Sequence, residues 1–171
     1  GDEMDKAYMD AMTTLMLSPE SVARHSDMKI VYTPLHGSGV RIVPALLDRV
    51  GFKNIYHVPE QDISDGNFPT VASPNPEEPA AMKMALEVAE REGADIVLAT
   101  DPDADRLGIY ALDTKTGKYM PFTGNMSAML IGEYILSQKS ANGTLPENPA
   151  FVESIVSTDM GKAIAAAYGV K

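Results

Sequence analysis

The chain has no cysteine, few basic residues for its acidic ones, and no apolar run long enough to span a bilayer. The missing cysteine excludes disulfides, thiolate metal sites and a cysteine nucleophile. Acidic residues outnumber basic ones 24 to 14, for a net charge of -10, and the pI is near 4.6. That balance argues against a nucleic-acid partner, and no Lys/Arg cluster contradicts it. Any phosphorylated ligand would have to be held by local contacts, because the overall field repels it. No membrane partner is expected without a long apolar run, and the amino end carries no secretory signal, so a cytoplasmic location is expected. Within these limits, 171 residues of ordinary apolar content can bury about two thirds of the unfolded surface, enough for one good core or two small ones.

The most informative stretch is Thr100-Asp101-Pro102-Asp103-Ala104-Asp105-Arg106, which follows a buried-looking strand at Asp95 to Ala99. Two like charges about 4 Å apart repel by roughly 4 kcal/mol at an effective dielectric near 20. Three convergent aspartates therefore invite a cation, and hard oxygen ligands on a turn suit Mg²⁺ or Ca²⁺. An EF-hand loop counted from Asp101 fails, since Arg106 stands where Gly is needed and Leu112 where the bidentate Glu belongs. A haloacid-dehalogenase-type phosphatase would use Asp101 as nucleophile on its first strand. Here two strand-helix units come earlier, and Lys115 and Lys118 follow too soon to be its helper lysine. A solvated acidic turn without a ligand is the remaining plain reading.

Along the chain, helices and strands alternate. Residues 3–16 read as a helix with Met4, Tyr8, Met12, Leu15 and Met16 on one stripe, a face suited to core or docking. Ser18-Pro19-Glu20 restarts a short helix. A strand at 29–33 runs into Pro34-Leu35-His36-Gly37-Ser38-Gly39 and then a helix ending near Val50, with Pro44 implying a kink or a late start. Further expectations are a strand at 54–58, a long loop from Pro59 to Pro79, and a helix from Glu77 to Glu92 with Ala81, Met84, Ala85 and Val88 inward. A strand at 107–112 is expected to return antiparallel across a tight turn. This pattern predicts an α/β fold, a mixed, mainly parallel sheet with helices on both faces, whose ligands collect at the carboxyl ends of the strands. The polar turn 113–118 reads as a domain boundary. Beyond it come a helix at 125–138, a strand at 151–156 and a helix from Thr158, a single strand-helix unit with no sheet partners, as in a domain cut short.

Four motifs, Tyr32 to Gly37, Asp65-Gly66-Asn67-Phe68-Pro69, Pro74-Asn75-Pro76-Glu77-Glu78-Pro79 and Asp101 to Arg106, taken in this order and at these distances, resemble the second domain of the α-D-phosphohexomutases, the phosphoglucomutase/phosphomannomutase enzymes. The resemblance implies residues 1–27 as a helical lead-in from a preceding domain, 28–115 as α/β/α domain II with its metal loop, and 116–171 as the amino-terminal part of a truncated domain III. It implies Asp101, Asp103 and Asp105 as ligands of a catalytic Mg²⁺ that also meets a phosphoserine of the first domain, and Arg106 as an arginine reaching toward that phosphoserine. From the residues alone, Arg106 also reads as a partner that screens the aspartates. The implied substrates are hexose phosphates, interconverted through a hexose 1,6-bisphosphate.

The loop departs from the common Asp-Gly-Asp pattern. Pro102 fixes φ and removes a donor, which the second position of a turn tolerates. His36 and Gly37 form a possible loop at the active edge, where His36 would touch phosphate or make structural hydrogen bonds. The Asp65-Gly66 and 74–79 segments supply turns and caps, Glu77 and Glu78 suit a helix amino terminus, and His25 and His57 carry no constellation. The family's phosphoserine loop, sugar-reading loop and terminal phosphate clamp, drawn from its first, third and fourth domains, are not in this sequence, so the chain is expected to be inactive alone. A non-catalytic interaction or allosteric module that kept the fold is the alternative.

Overall fold

Central strand β1 (Lys29–Thr33) is buried along nearly its whole length, as a run of Ile, Val, Tyr and Thr covered on both faces should be. It lies between β2 (Asn54–His57) and β3 (Ile96–Thr100), parallel to both, and β4 (Leu107–Asp113) and β5 (Lys118–Phe122) extend the sheet as an antiparallel hairpin, giving the order β2-β1-β3-β4-β5. The computed structural model describes all of residues 1–171. Three of the five strands are parallel, and the sheet is the mixed α/β type expected. The connection β1–β2 holds α3 (Ile42–Val50), and β2–β3 holds α4 (Pro79–Glu92) and crosses over β1. Right-handed crossovers running in opposite directions put these two helices on opposite faces.

The core lies under α4, where Met82, Ala85, Val88 and Ala89 pack with Val31, Val97, Ala99 and Tyr110. Met84, expected inward, is only partly buried at the margin of this cluster, whereas Met82 is fully buried. Pro44 is the third residue of α3, in the first turn, where its missing N–H has no intrahelical acceptor; the proline gives a late start rather than a kink. Helix α4 begins at Pro79, not Glu77, because Asn75 holds the preceding residues in a turn, its Oδ1 accepting from Glu77 N–H at 3.0 Å and its carbonyl from Glu78 N–H at 3.0 Å. Gly93 ends α4 in the left-handed region at φ 62°.

At the amino end, α1 (Asp2–Thr13) buries no residue. Its Met-rich stripe is therefore not core: Met4, Tyr8 and Leu15 are exposed, and Met12 and Met16 are half-buried. Charge ties this helix to α3 instead, through Arg41 to Asp2 at 2.9 Å and Asp5 at 2.8 Å, and through Arg49 to Asp10. The short α2 (Pro19–Arg24) follows as expected.

The chain divides into two compact units, Gly1–Phe122 and Thr123–Lys171. Residues 113–117, where a boundary is expected, form the turn of a hairpin, and the first compact unit runs on through β5 to Phe122. Strand β5 pairs with β4 from Asp113↔Lys118 to Ile109↔Phe122, and Tyr119 donates to the carbonyls of Ala94 at 2.6 Å and Ala89 at 2.9 Å. The second unit contains α5 (Gly124–Ala141), capped by Thr123 Oγ1 accepting from Met126 N–H, and α6 (Met160–Ala167). Its small core comprises Leu136, Ala165 and Val170 with Phe151, Ile164 and Tyr168 against them. The strand expected at 151–156 does not form. Phe151 N–H meets the Lys171 carbonyl at 2.7 Å, but residues 154–157 turn, and no ladder develops. No helix is long and apolar enough to cross a membrane.

Candidate metal centre

Thr33 at the end of β1 lies opposite Ala99 near the end of β3, so the loops that follow these two strands start side by side at the carboxyl edge of the sheet. Residues 101–106 then close the β3–β4 hairpin, between the paired Thr100 and Leu107. Their turn is pinned by Ala104 N–H donating to the Asp101 carbonyl at 3.0 Å, with Ala104 in the left-handed region at φ 59°. Such a conformation costs a non-glycine residue on the order of 1 kcal/mol.

Asp101 is the buried member, 1 % exposed, while Asp103 and Asp105 are exposed. Its two oxygens are engaged separately: Oδ1 accepts from Arg106 N–H at 2.9 Å, and Oδ2 from Arg106 Nε at 2.8 Å. Burial pushes the Asp101 carboxyl up, but the backbone and guanidinium donors of Arg106 outweigh it, and the net pKa lies below the ordinary carboxylate value. Asp105 moves the other way, raised chiefly by the charge of Asp103 and then by that of Asp101. Arg106 is held further into its charged form by its hydrogen bond to Asp101.

One oxygen from each of Asp101, Asp103 and Asp105 can be chosen so that all three lie within 4.8 Å of one another. The donor set fits a hard divalent cation: all ligands are oxygens, each Asp101 oxygen keeps a lone pair free after its Arg106 bond, and the mutual repulsion felt by Asp105 is what a cation relieves. Arg106 commits its Nε to Asp101, and its side chain is still 54 % exposed. The screening role read from sequence is therefore present in the geometry.

His36 is brought to the same edge, but its ring is spent. It is 3 % exposed, Nδ1 lies 2.8 Å from the Ile63 carbonyl, and Nε2 lies 2.8 Å from Thr70 Oγ1. A carbonyl only accepts, so Nδ1 carries a proton, and in the neutral ring Nε2 accepts from Thr70. The chain of bonds continues, with Gln61 Nε2 donating to Thr70 Oγ1 at 3.1 Å and Thr33 Oγ1 donating to Gln61 Oε1 at 2.6 Å. Of the two readings of His36, structural bonding is the one the geometry contains. These bonds offset the left-handed backbone at Leu35 and His36, φ 47° and 67°.

Gly37 has a separate reason to be glycine: a Cβ there would overlap the backbone of Pro102. Next to it, Ser38 donates twice to the Pro102 carbonyl, from N–H at 2.8 Å and from Oγ at 3.0 Å. Sequence reasoning passed over Ser38, Gln61 and Thr70. Only the placing of Ser38 between two glycines after a strand pointed to it; nothing local marks Gln61 or Thr70. The segment at 74–79 also reaches this edge, since a Cβ on Gly108 of β4 would run into Pro76.

The chain is similar to known proteins in sequence and in fold. The chain is 39 % identical over 145 residues to the phosphoglucomutase of Staphylococcus haemolyticus, and 39 % over 146 residues to that of Staphylococcus aureus strain N315. Each match takes in 85 % of this chain and 26 % of the relative, so the chain spans about a quarter of the length of the curated relatives it matches. A phosphoglucomutase/phosphomannomutase family protein from Burkholderia thailandensis superposes with a TM-score of 0.54 at 26 % identity, covering 66 % of this chain and 23 % of that one. A Thermus thermophilus structure provisionally described as a phosphomannomutase shares the fold, with a TM-score of 0.68 at 19 % identity over 98 % of this chain and 35 % of that one. Residues 6–114 match the model of the phosphoglucomutase/phosphomannomutase alpha/beta/alpha domain II, and the chain belongs to that family.

Proposed function

We propose that this chain is the metal-binding part of a cytoplasmic phosphohexomutase, which interconverts hexose 1-phosphate and hexose 6-phosphate through a phosphoserine and a hexose 1,6-bisphosphate. The observation that carries the reading is the convergence of Asp101, Asp103 and Asp105 on a loop braced by Arg106, inside the stretch that matches domain II. These three carboxylates would hold Mg²⁺. When bound, the cation supplies positive charge against a transferring phosphoryl group.

The chain's own residues do the positioning. Asp101 is fixed by two hydrogen bonds, so it sets where the site lies, and the exposed Asp103 and Asp105 close around it. Anchored through Nε, the Arg106 guanidinium keeps its terminal nitrogens for the oxygens of a phosphoserine or sugar phosphate, which a planar fork matches well. Turnover would need a phosphoserine, a sugar-reading loop and a phosphate clamp from the first, third and fourth domains of a full mutase. This chain by itself is then inactive toward glucose 1-phosphate.

Mn²⁺ titration of isotope-labelled chain, followed by NMR line broadening, tests the reading. Signals of 101–106 should disappear first in the parent and persist in Asp103→Asn, while a coupled assay records no glucose 1-phosphate turnover. A folded parent whose 101–106 signals survive excess Mn²⁺ would defeat the metal assignment.

A further inference from the structure

Building on that metal assignment, we infer that Ser38 is a positioning residue of the acidic loop: by donating twice to the Pro102 carbonyl, it sets the peptide plane that carries Asp103 relative to Asp101. Little torsional freedom is left in the loop. Asp101 is immobilised at its side chain by Arg106 and at its carbonyl by Ala104 N–H. Pro102 has φ fixed by its ring. The soft torsion left ahead of the peptide plane that carries Asp103 is ψ of Pro102, and the direction of the Pro102 carbonyl reports that torsion. Ser38 holds this oxygen from two donors, N–H at 2.8 Å and Oγ at 3.0 Å.

The neighbours of Ser38 bring it there and let it do little else. His36, locked at both ring nitrogens, fixes the backbone from which Gly37 and Ser38 project. Gly37 has no Cβ, so the backbones of the two loops can touch, and Gly39 leaves room for the Tyr32 hydroxyl and Thr100 Oγ1, which bond to each other at 2.8 Å beneath it. A proline in the acidic loop and a serine in the facing loop are thus two halves of one constraint: the ring removes one torsion, and the serine removes the next.

The test compares parent, Ser38→Ala and Ser38→Thr for Mn²⁺ affinity by electron paramagnetic resonance. Metal-free NMR shifts of the Pro102 carbonyl carbon and the Asp103 amide, and thermal melts, are recorded alongside. Outer-shell partners of metal ligands typically change affinity by tenfold or more. Ser38→Ala, which keeps the N–H donor, should weaken Mn²⁺ binding about tenfold and move both shifts with little change in melting temperature. Ser38→Thr, which keeps the hydroxyl, should restore both. Parent-like affinity and shifts in Ser38→Ala would overturn the positioning role while leaving the metal reading intact. A parent that takes up no Mn²⁺ would overturn the metal reading and this role together. Loss of affinity that follows a fallen melting temperature in both variants would reduce Ser38 to a structural contact.

Discussion

Asp101 and Asp105 sit four positions apart in one loop, yet their charges affect the metal-free fold with opposite sign. The pKa of Asp101 is lowered on folding, because Arg106 overcomes the cost of burial, so its charge stabilises the folded chain at neutral pH. The pKa of Asp105 is raised by Asp103 and Asp101, so its charge opposes folding there. In EDTA, Asp101→Asn should therefore destabilise by about 1–2 kcal/mol: an amide nitrogen would face a donor of Arg106, while the exposure of the guanidinium limits the loss. Asp105→Asn should raise the melting temperature. Urea and thermal unfolding of the two variants read this directly, and equal signs would mean that the loop is not organised around Asp101. The aspartates were legible in sequence because their chemistry resides in residue identity. The hydrogen bonds of Ser38 to Pro102 were not, since that contact joins residues 64 positions apart, and His36 offered two roles until both of its nitrogens were seen to be occupied.

At the scale of elements, legibility followed how much of each element's stability is local. Strand β1 was read to the residue from Lys-Ile-Val-Tyr-Thr, and α4 was readable from its apolar spacing and from Gly93, apart from its first turn. Strand β5 was missed because Lys-Tyr-Met-Pro-Phe includes Pro121, which cannot donate to a ladder and is tolerated at a sheet edge. The strand expected at 151–156 had the right composition, but a strand exists only through its partner. The turn that joins β4 to β5 is organised by Asp113, which accepts from Lys115 N–H at 2.9 Å and Thr116 Oγ1 at 2.8 Å. The Lys115 amide and then the Thr116 hydroxyl lower its pKa. A lowered carboxylate contributes stability that is complete above its unfolded value, near 3.9, and is lost as pH falls through the folded value. Melting temperatures measured across that interval should fall less steeply with acid in Asp113→Asn than in the parent. Parallel curves would remove Asp113 from the acid response of the hairpin.

At the scale of the molecule, the two units differ in what holds them. The core of the first is made of residues between Val31 and Tyr110, so every side chain it needs is supplied by the first 122 positions. Its acidic loop, the Ser38 contact and the His36 chain of bonds all lie in that same unit. The second unit buries only Leu136, Ala165 and Val170 in its cluster, too little apolar surface to offset the conformational entropy of ordering it. Its exposed Val152, Ile155 and Val156 add to that deficit. A polypeptide of residues 1–122 should accordingly unfold in one cooperative transition, within about 5 °C of the whole chain, the shift that roughly 1 kcal/mol produces in a domain of this size. It should also keep the Mn²⁺ affinity of the whole chain. A polypeptide of residues 123–171 should show no cooperative transition and no slowly exchanging amides. Cooperative unfolding of 123–171, or loss of it in 1–122, would show that stability is distributed across the boundary at Phe122 rather than concentrated in the unit that carries the aspartates.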